Sequence, residues 1–98
     1  MNRPMKPGTE QSRSMFFSEE EMTAAVSDLR AMGSAAIKIL AESVERGEIK
    51  RKSLSQAVKK LELEGFVRVF SEGPFSEEFI IRPTLIGEDA VAEVLGYD

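Results

Sequence analysis

The segment from Lys52 to Val69 reads KSLSQAVKKLELEGFVRV, and its hydrophobic period changes at Gly65. Before this glycine, apolar residues recur at helical spacing and define one core-facing stripe: Leu54, Val58 and Leu61. After it, residues 66–70 (FVRVF) are β-branched or aromatic except for Arg68, which is typical of a strand. The segment therefore predicts a third helix from an N-cap at Ser53 to about Glu64, followed directly by a β-strand.

A second strand and a last helix are predicted after this segment. Residues 71–76 (SEGPFS) are rich in turn-forming types, and residues 78–82 have the composition of a strand. The two strands together predict a β-hairpin with a long tip. Pro83 is expected to end the second strand, and Thr84 is expected to cap a fourth helix.

Two helices are predicted upstream of the segment. Ser18 begins the first with the spacing of a capping box, and Gly33 ends it. Ser34 is expected to cap the second helix, which Gly47 ends. A connector with Ile49 as its apolar anchor then leads to the third helix.

Composition limits the chain to one domain and favours binding over catalysis. The 98 residues are 42% hydrophobic and 31% charged, with no Cys and no His. The commonest general base, zinc ligands and cysteine nucleophiles are therefore missing, and we expect no enzyme, no metal and no cofactor. Paired carboxylates at Glu77-Glu78 and Glu88-Asp89 are the remaining signal for an enzyme, and solvated acids explain them better.

The N-terminal part of the chain differs from the rest. Residues 1–14 contain two prolines, a glycine and no apolar period, so we expect a disordered arm before a single domain at residues 15–98. An untethered terminus is the expected role, and a basic arm that reaches a DNA groove is the alternative. No apolar run approaches the ~20 residues of a membrane-spanning helix, and no signal peptide is evident, so we expect a cytoplasmic protein.

The net charge of −4 is unevenly distributed along the chain. Residues 48–70 carry six basic and three acidic residues, whereas residues 71–98 carry one basic and seven acidic residues. The overall charge opposes non-specific binding to polyanions. The basic segment leaves room for a specific contact with nucleic acid.

The order of three helices, a two-stranded wing and a final helix resembles the winged helix-turn-helix domain. Lys59-Lys60-Leu61-Glu62 and Gly65-Phe66-Val67 are similar to the recognition helix and first wing strand of the multiple-antibiotic-resistance repressor (MarR) type. The resemblance implies a mostly helical α+β fold and sequence-specific binding of double-stranded DNA through the third helix. A transcriptional regulator, or a plasmid- or phage-type control protein, is the function it implies.

In such a domain the N-terminal part of the recognition helix meets base edges in the major groove, and flanking cations hold phosphates. The residues expected to read bases are Lys52, Ser53, Ser55, Gln56 and Lys59. The residues expected to bind phosphates are Lys50, Arg51, Lys60 and Arg68.

The fourth helix predicts assembly, because its apolar residues cover more than one arc of the helix surface. The residues expected in a homodimer interface are Leu85, Val91, Val94 and Leu95.

A second function remains open, namely a winged-helix module that binds a protein and not DNA. It would use the acidic wing, which carries Glu72, Glu77 and Glu78, or the acidic C-terminal helix. Phe75 at the wing tip is expected to fold back onto the protein, and a contact residue is the alternative.

Overall fold

The computed structural model describes residues 17–96, which form an α+β fold that is mostly helical. The four helices of this region are Glu19–Met32 (α1), Ser34–Arg46 (α2), Gln56–Leu63 (α3) and Leu85–Leu95 (α4). The three strands are Ile49–Arg51 (β1), Val67–Ser71 (β2) and Phe79–Pro83 (β3). The four predicted helices and the predicted hairpin occur in the predicted order, and β1 is an additional strand between α2 and α3. The predicted arm at residues 1–14 lies outside the described residues.

The start of α1 confirms the predicted capping box. The Ser18 N–H donates to Glu21 Oε1 at 2.8 Å, and the Glu21 N–H donates to Ser18 Oγ at 3.0 Å. These two bonds satisfy backbone donors that the first turn of a helix otherwise leaves without partners.

The cap of α2 differs from the prediction. Gly33 is its N-cap, and no side chain caps this end, so the cap predicted at Ser34 is wrong. Gly33 has φ +95°, a conformation that favours glycine, and the chain reverses there within a single residue. Ser34 is therefore already helical when α2 begins.

The predicted connector between α2 and α3 contains a strand. Residues 49–51 form β1, which pairs antiparallel with β3 and places Ile49 opposite Ile81. The sheet order is β1-β3-β2, so β1 covers the edge of β3 that the β2–β3 hairpin leaves unpaired. Burial of Ile49 in the core, as predicted for an anchor, holds this short strand in register.

The core lies between the inner face of the sheet and the helices. Alternate residues of the strands face it, and the buried stripe of α3 packs against the same cluster. The largest fully buried apolar side chains are Leu29, Leu40, Leu61, Val67, Ile81 and Val91, and the larger Phe66 is buried beside them.

A tight junction joins the end of α3, the hairpin and the start of α4. The Thr84 N–H donates to the Phe66 carbonyl at 3.0 Å, and Thr84 Oγ1 donates to the Gly65 carbonyl at 2.7 Å. Thr84 Oγ1 also accepts from the Gly87 N–H at 3.1 Å, which confirms the predicted cap of α4. Pro83 is the last residue of β3, paired with Val67, so the strand ends there as predicted. A β-carbon on Gly87 would collide with the Phe66 carbonyl oxygen.

We expect Gly87→Ala to destabilise the protein by about 1–3 kcal/mol, because α4 must move away from the Phe66 backbone. Helix propensity alone predicts the opposite sign, a gain of roughly 1 kcal/mol. Urea unfolding followed by circular dichroism measures the difference.

Gly73→Ala is the matched control, because a β-carbon at Gly73 has no atom within 4 Å and the residue does not have a positive φ. Its midpoint should stay near that of the parent. A Gly87→Ala variant as stable as the parent would contradict the close approach.

Candidate nucleic-acid interface

Helix α3 begins later than the sequence predicts. Its N-cap is Ser55, whose Oγ accepts from the Val58 N–H at 3.3 Å, and the predicted cap at Ser53 is wrong. Leu54 packs partly buried against the core and holds the chain extended at this point. The extended backbone of Ser55 (φ −74°, ψ 167°) then leads into Gln56 as the first helical residue.

The five predicted base-reading residues consequently lie partly in the segment before α3 and partly in the helix itself. Lys52 and Ser53 lie in an exposed bend before α3, and Ser55 is the cap. Gln56 and Lys59 are exposed on the first turns of the helix. All five lie at or before the N-terminal half of α3, the end that meets base edges in recognition helices.

One side of α3 is fully open to solvent in the described region. Its residues have the i, i+3, i+4, i+7 spacing of a single helix face; this α3 face consists of Gln56, Lys59, Lys60 and Leu63. Leu63 is 83% exposed, so it packs neither beneath the hairpin nor into the core. Glu62 and Glu64 are exposed on the flanks.

The four predicted phosphate-binding residues do not lie together. Lys60 belongs to the α3 face. Arg51 points to the helical side of the sheet, where it donates to Glu42 Oε1 at 3.3 Å and to the Lys50 carbonyl at 2.9 Å. Its guanidinium is therefore already partnered. Lys50 and Arg68 extend from the opposite, outer face of the sheet, on its two edge strands.

The outer sheet face also contains residues that the sequence analysis missed. Arg82 lies opposite Arg68, forms an ion pair with Glu48 at 2.9 Å, and stands 5.7 Å from the centroid of the Phe70 ring. Ile80 lies between Lys50 and Phe70 in the strand register and is buried on this face. The alternation within β3 would have indicated Arg82, once β3 was recognised as the central strand.

The hairpin tip, residues 72–78, is acidic and ordered by its own backbone. The Ser76 N–H donates to the Gly73 carbonyl at 3.1 Å, and Ser76 Oγ donates to the Glu78 carbonyl at 3.1 Å. Phe75 is 93% exposed, so the prediction that it folds back is wrong. The turn of residues 73–76 presents its side chain to solvent.

The four predicted dimer residues divide between the core and the surface. Val91 is 2% exposed and packs in the protomer's own core, and Val94 packs against that core from its edge. Leu85 is 57% exposed and Leu95 is also exposed. The residues of α4 that face the core are three and four apart, so the opposite arc carries Leu85. Only Leu85 and Leu95 are therefore accessible to a partner chain. The prediction of Val91 as an interface residue is wrong, because Val91 is buried in the protomer's own core.

Other kinds of site have little support within residues 17–96. No group of three or more His, Cys, Asp or Glu side chains there is arranged to hold a metal ion. None of the helices in this range has the length and apolarity needed to cross a membrane.

Comparison of the chain with known proteins found no similar protein. No model of a protein family matches the chain, and neither the curated proteins nor the solved structures contain a match.

We expect Ser55→Ala to cost about 1 kcal/mol of stability, because the variant loses the side-chain acceptor for the Val58 N–H. Ser53→Ala is the matched control in the same segment, and its unfolding midpoint should remain close to that of the parent. Urea unfolding of both variants distinguishes the two positions. If Ser53→Ala were the more damaging variant, α3 would begin where the sequence pattern places it.

Proposed function

We propose that this protein is a winged-helix protein that binds double-stranded DNA sequence-specifically through α3, in the role of a transcriptional regulator. The observation that carries the proposal is the cationic, open surface formed by the α3 face and the bend before it. Lys52, Lys59 and Lys60 are exposed there. Phosphate neutralisation by lysine or arginine supplies most of the affinity in such complexes.

These lysines are available for a ligand. Within residues 17–96 the ion pairs join Arg46 and Arg51 to Glu42, and Arg82 to Glu48, so none of them occupies an α3 lysine. The α3 lysines attract phosphate locally, whereas the chain as a whole has a net charge of −4 and repels it. Binding of this kind depends on a fitted contact and is strongly salt-dependent.

The topology around α3 also supports the proposal. A helix followed directly by a β-hairpin, with a third short strand on the free edge, is compatible with a winged helix. In that arrangement Gln56 and Ser53 stand where base edges are read, and glutamine is suited to bidentate contact with adenine. Lys60 binds phosphate, and Lys50 and Arg68 extend the positive potential onto the outer sheet face.

A homodimer is part of the proposal. Leu85 and Leu95 leave apolar surface on α4 that a second α4 would cover. Two copies related by a two-fold axis would present two α3 helices to half-sites about one helical turn apart.

A protein-binding module is the second candidate, and the hairpin tip favours it. The tip carries an exposed aromatic ring at Phe75 within an acidic loop. Aromatic side chains of this kind are common anchors in protein interfaces, whereas glutamates at a wing tip oppose contact with a DNA backbone.

We expect the double variant Lys59→Ala/Lys60→Ala to bind a short random duplex more weakly than the parent, with the logarithmic salt slope reduced by about 1 through the phosphate contact of Lys60. Each lysine that meets a phosphate releases about one counterion, which is the physical reason. Amide NMR titrations at low and at moderate salt measure the affinity and report the residues involved. Shifts should cluster at residues 50–60 and fade as salt rises.

The matched control is Arg30→Ala/Lys38→Ala, which removes the same charge from exposed positions on α1 and α2. It should keep the salt slope of the parent. Equal binding by the two double variants would show that α3 is not the surface that meets DNA. An absence of shifts at either salt would favour the protein-binding candidate.

We expect Gln56→Ala to weaken binding to a selected site by about 1–3 kcal/mol and to relax preference at one base position. Random-sequence selection with the parent and with the variant gives the two preference profiles. A uniform loss across all positions would assign Gln56 to phosphate contact and not to base reading.

A further inference from the structure

The two most exposed large apolar side chains of residues 17–96 stand in opposite charge surroundings. Leu63, 83% exposed, has Lys59 and Lys60 as its neighbours one turn earlier on the α3 face. Phe75, 93% exposed, lies on the acidic hairpin tip. The glutamates of this tip are Glu72, Glu77 and Glu78.

DNA binding accounts for neither side chain. Leu63 offers no donor to a phosphate, and it lies at the C-terminal end of α3, away from the end that meets base edges. Phe75 is surrounded by carboxylates, which a phosphate backbone repels. A single exposed apolar side chain is ordinary. The charges around these two residues carry the inference, because they are complementary and can steer one surface onto the other.

We propose that the hairpin tip of one copy of this protein docks on the α3 face of a second copy. Phe75 packs on Leu63, and the tip glutamates meet Lys59 and Lys60. Both halves of the contact are present on the same chain, and each supplies the charge that the other needs. The lysines share the face of Leu63, whereas Glu62 and Glu64 lie to its sides.

The size of the tip makes the contact weak and reversible. A loop of seven residues covers much less than the ~800 Å² per partner of a stable interface. Because its charged contacts are exposed, salt weakens it further. The association should therefore be visible at the concentrations of an NMR sample and vanish on dilution.

The contact also regulates the site assigned above, and this part rests on the proposed function. A tip that covers Lys59 and Lys60 competes with phosphates for the same cations. Raising the protein concentration would then lower the fraction of α3 surfaces open to DNA.

The first test is a dilution series of ¹⁵N-labelled full chain without DNA, with sedimentation velocity on the same samples. Amides of residues 72–78 and of residues 56–63 should shift together with concentration, and moderate salt should reduce both shifts. Phe75→Ser should lower the constant for this tip-to-face association about tenfold, because an aromatic anchor is removed. Val44→Ser, which removes an exposed apolar side chain from α2, is the matched control and should leave these shifts unchanged.

The second test exchanges the charges. Glu77→Lys/Glu78→Lys reverses the tip, and Lys59→Glu/Lys60→Glu reverses the α3 face; all four side chains are exposed, so both variants should fold. Each variant alone should show no joint shift of residues 72–78 and 56–63 with concentration, because tip and face then carry like charges. An equimolar mixture should associate, because each tip then finds a face of opposite charge. The tip variant has no net charge, so general attraction between the two proteins cannot produce this result.

Three outcomes would overturn the proposal: amides of residues 72–78 and 56–63 in the parent that do not shift anywhere in the dilution series, a charge-exchanged mixture that shows no joint shift of these residues, or joint shifts that survive Phe75→Ser. An α4 dimer is distinguished by its own shifts at residues 85–95. Failure of these tests leaves DNA binding through α3 intact, since no DNA is present. Conversely, if tip and α3 amides shift together but the protein does not bind DNA, the docking is supported and only the competition between the tip and phosphates is overturned.

Discussion

The position of α3 depends on the close approach of α4 to the backbone of Phe66. Gly87 permits this approach because it has no β-carbon, and Thr84 can then reach the carbonyls of Gly65 and Phe66 together. These bonds fix the residues that directly follow α3. The hairpin and α4 start from the same point, so one contact sets the directions of the candidate recognition helix, the hairpin and the last helix.

Two glutamates decide which cations remain available. Glu42 holds Arg46 and Arg51, and Glu48 holds Arg82. Exposed pairs of this kind contribute little to stability, but they cancel positive potential beside α2 and over the sheet. Lys52, Lys59 and Lys60 remain outside these pairs on the α3 side of the molecule, and Lys50 and Arg68 remain outside them on the outer sheet face. The excess of basic residues near the third helix in the sequence is therefore divided between two surfaces in the structure.

The order of elements followed from local signals, and the details of the candidate site did not. Capping at Ser18, the stripe of α3 and the change of period at Gly65 each involve near neighbours in sequence, so they are readable without the fold. The start of α3 is different, because Ser53 and Ser55 are equally good caps and the burial of Leu54 against distant residues decides between them. Strand β1 was missed for the same reason, since three residues are too few to show a period and their pairing with β3 is long-range.

The orientation of apolar side chains was the least readable property. A helix with apolar residues on two arcs does not indicate which arc meets the core until its neighbours are placed. That placement buries Val91 and leaves Leu85 open. Gly87 shows a related limit. Helix propensity predicts only that this glycine destabilises α4, whereas the structure shows that it lets the α4 backbone approach the Phe66 backbone.

Strands β2 and β3 link the acidic hairpin tip to the rest of the protein and also hold this tip away from the basic α3 face. Phe75 is too exposed to contact its own α3, although the tip and α3 carry complementary surfaces. The Ser76 hydroxyl donates to the Glu78 carbonyl and accepts from the Glu78 N–H, which holds the tip turn in its own shape, and the pairing of β2 with β3 extends to the base of that turn. Attraction between tip and helix is therefore not satisfied within one molecule. It remains available between molecules, and this makes the proposed docking a concentration-dependent event and not a fixed feature of the fold.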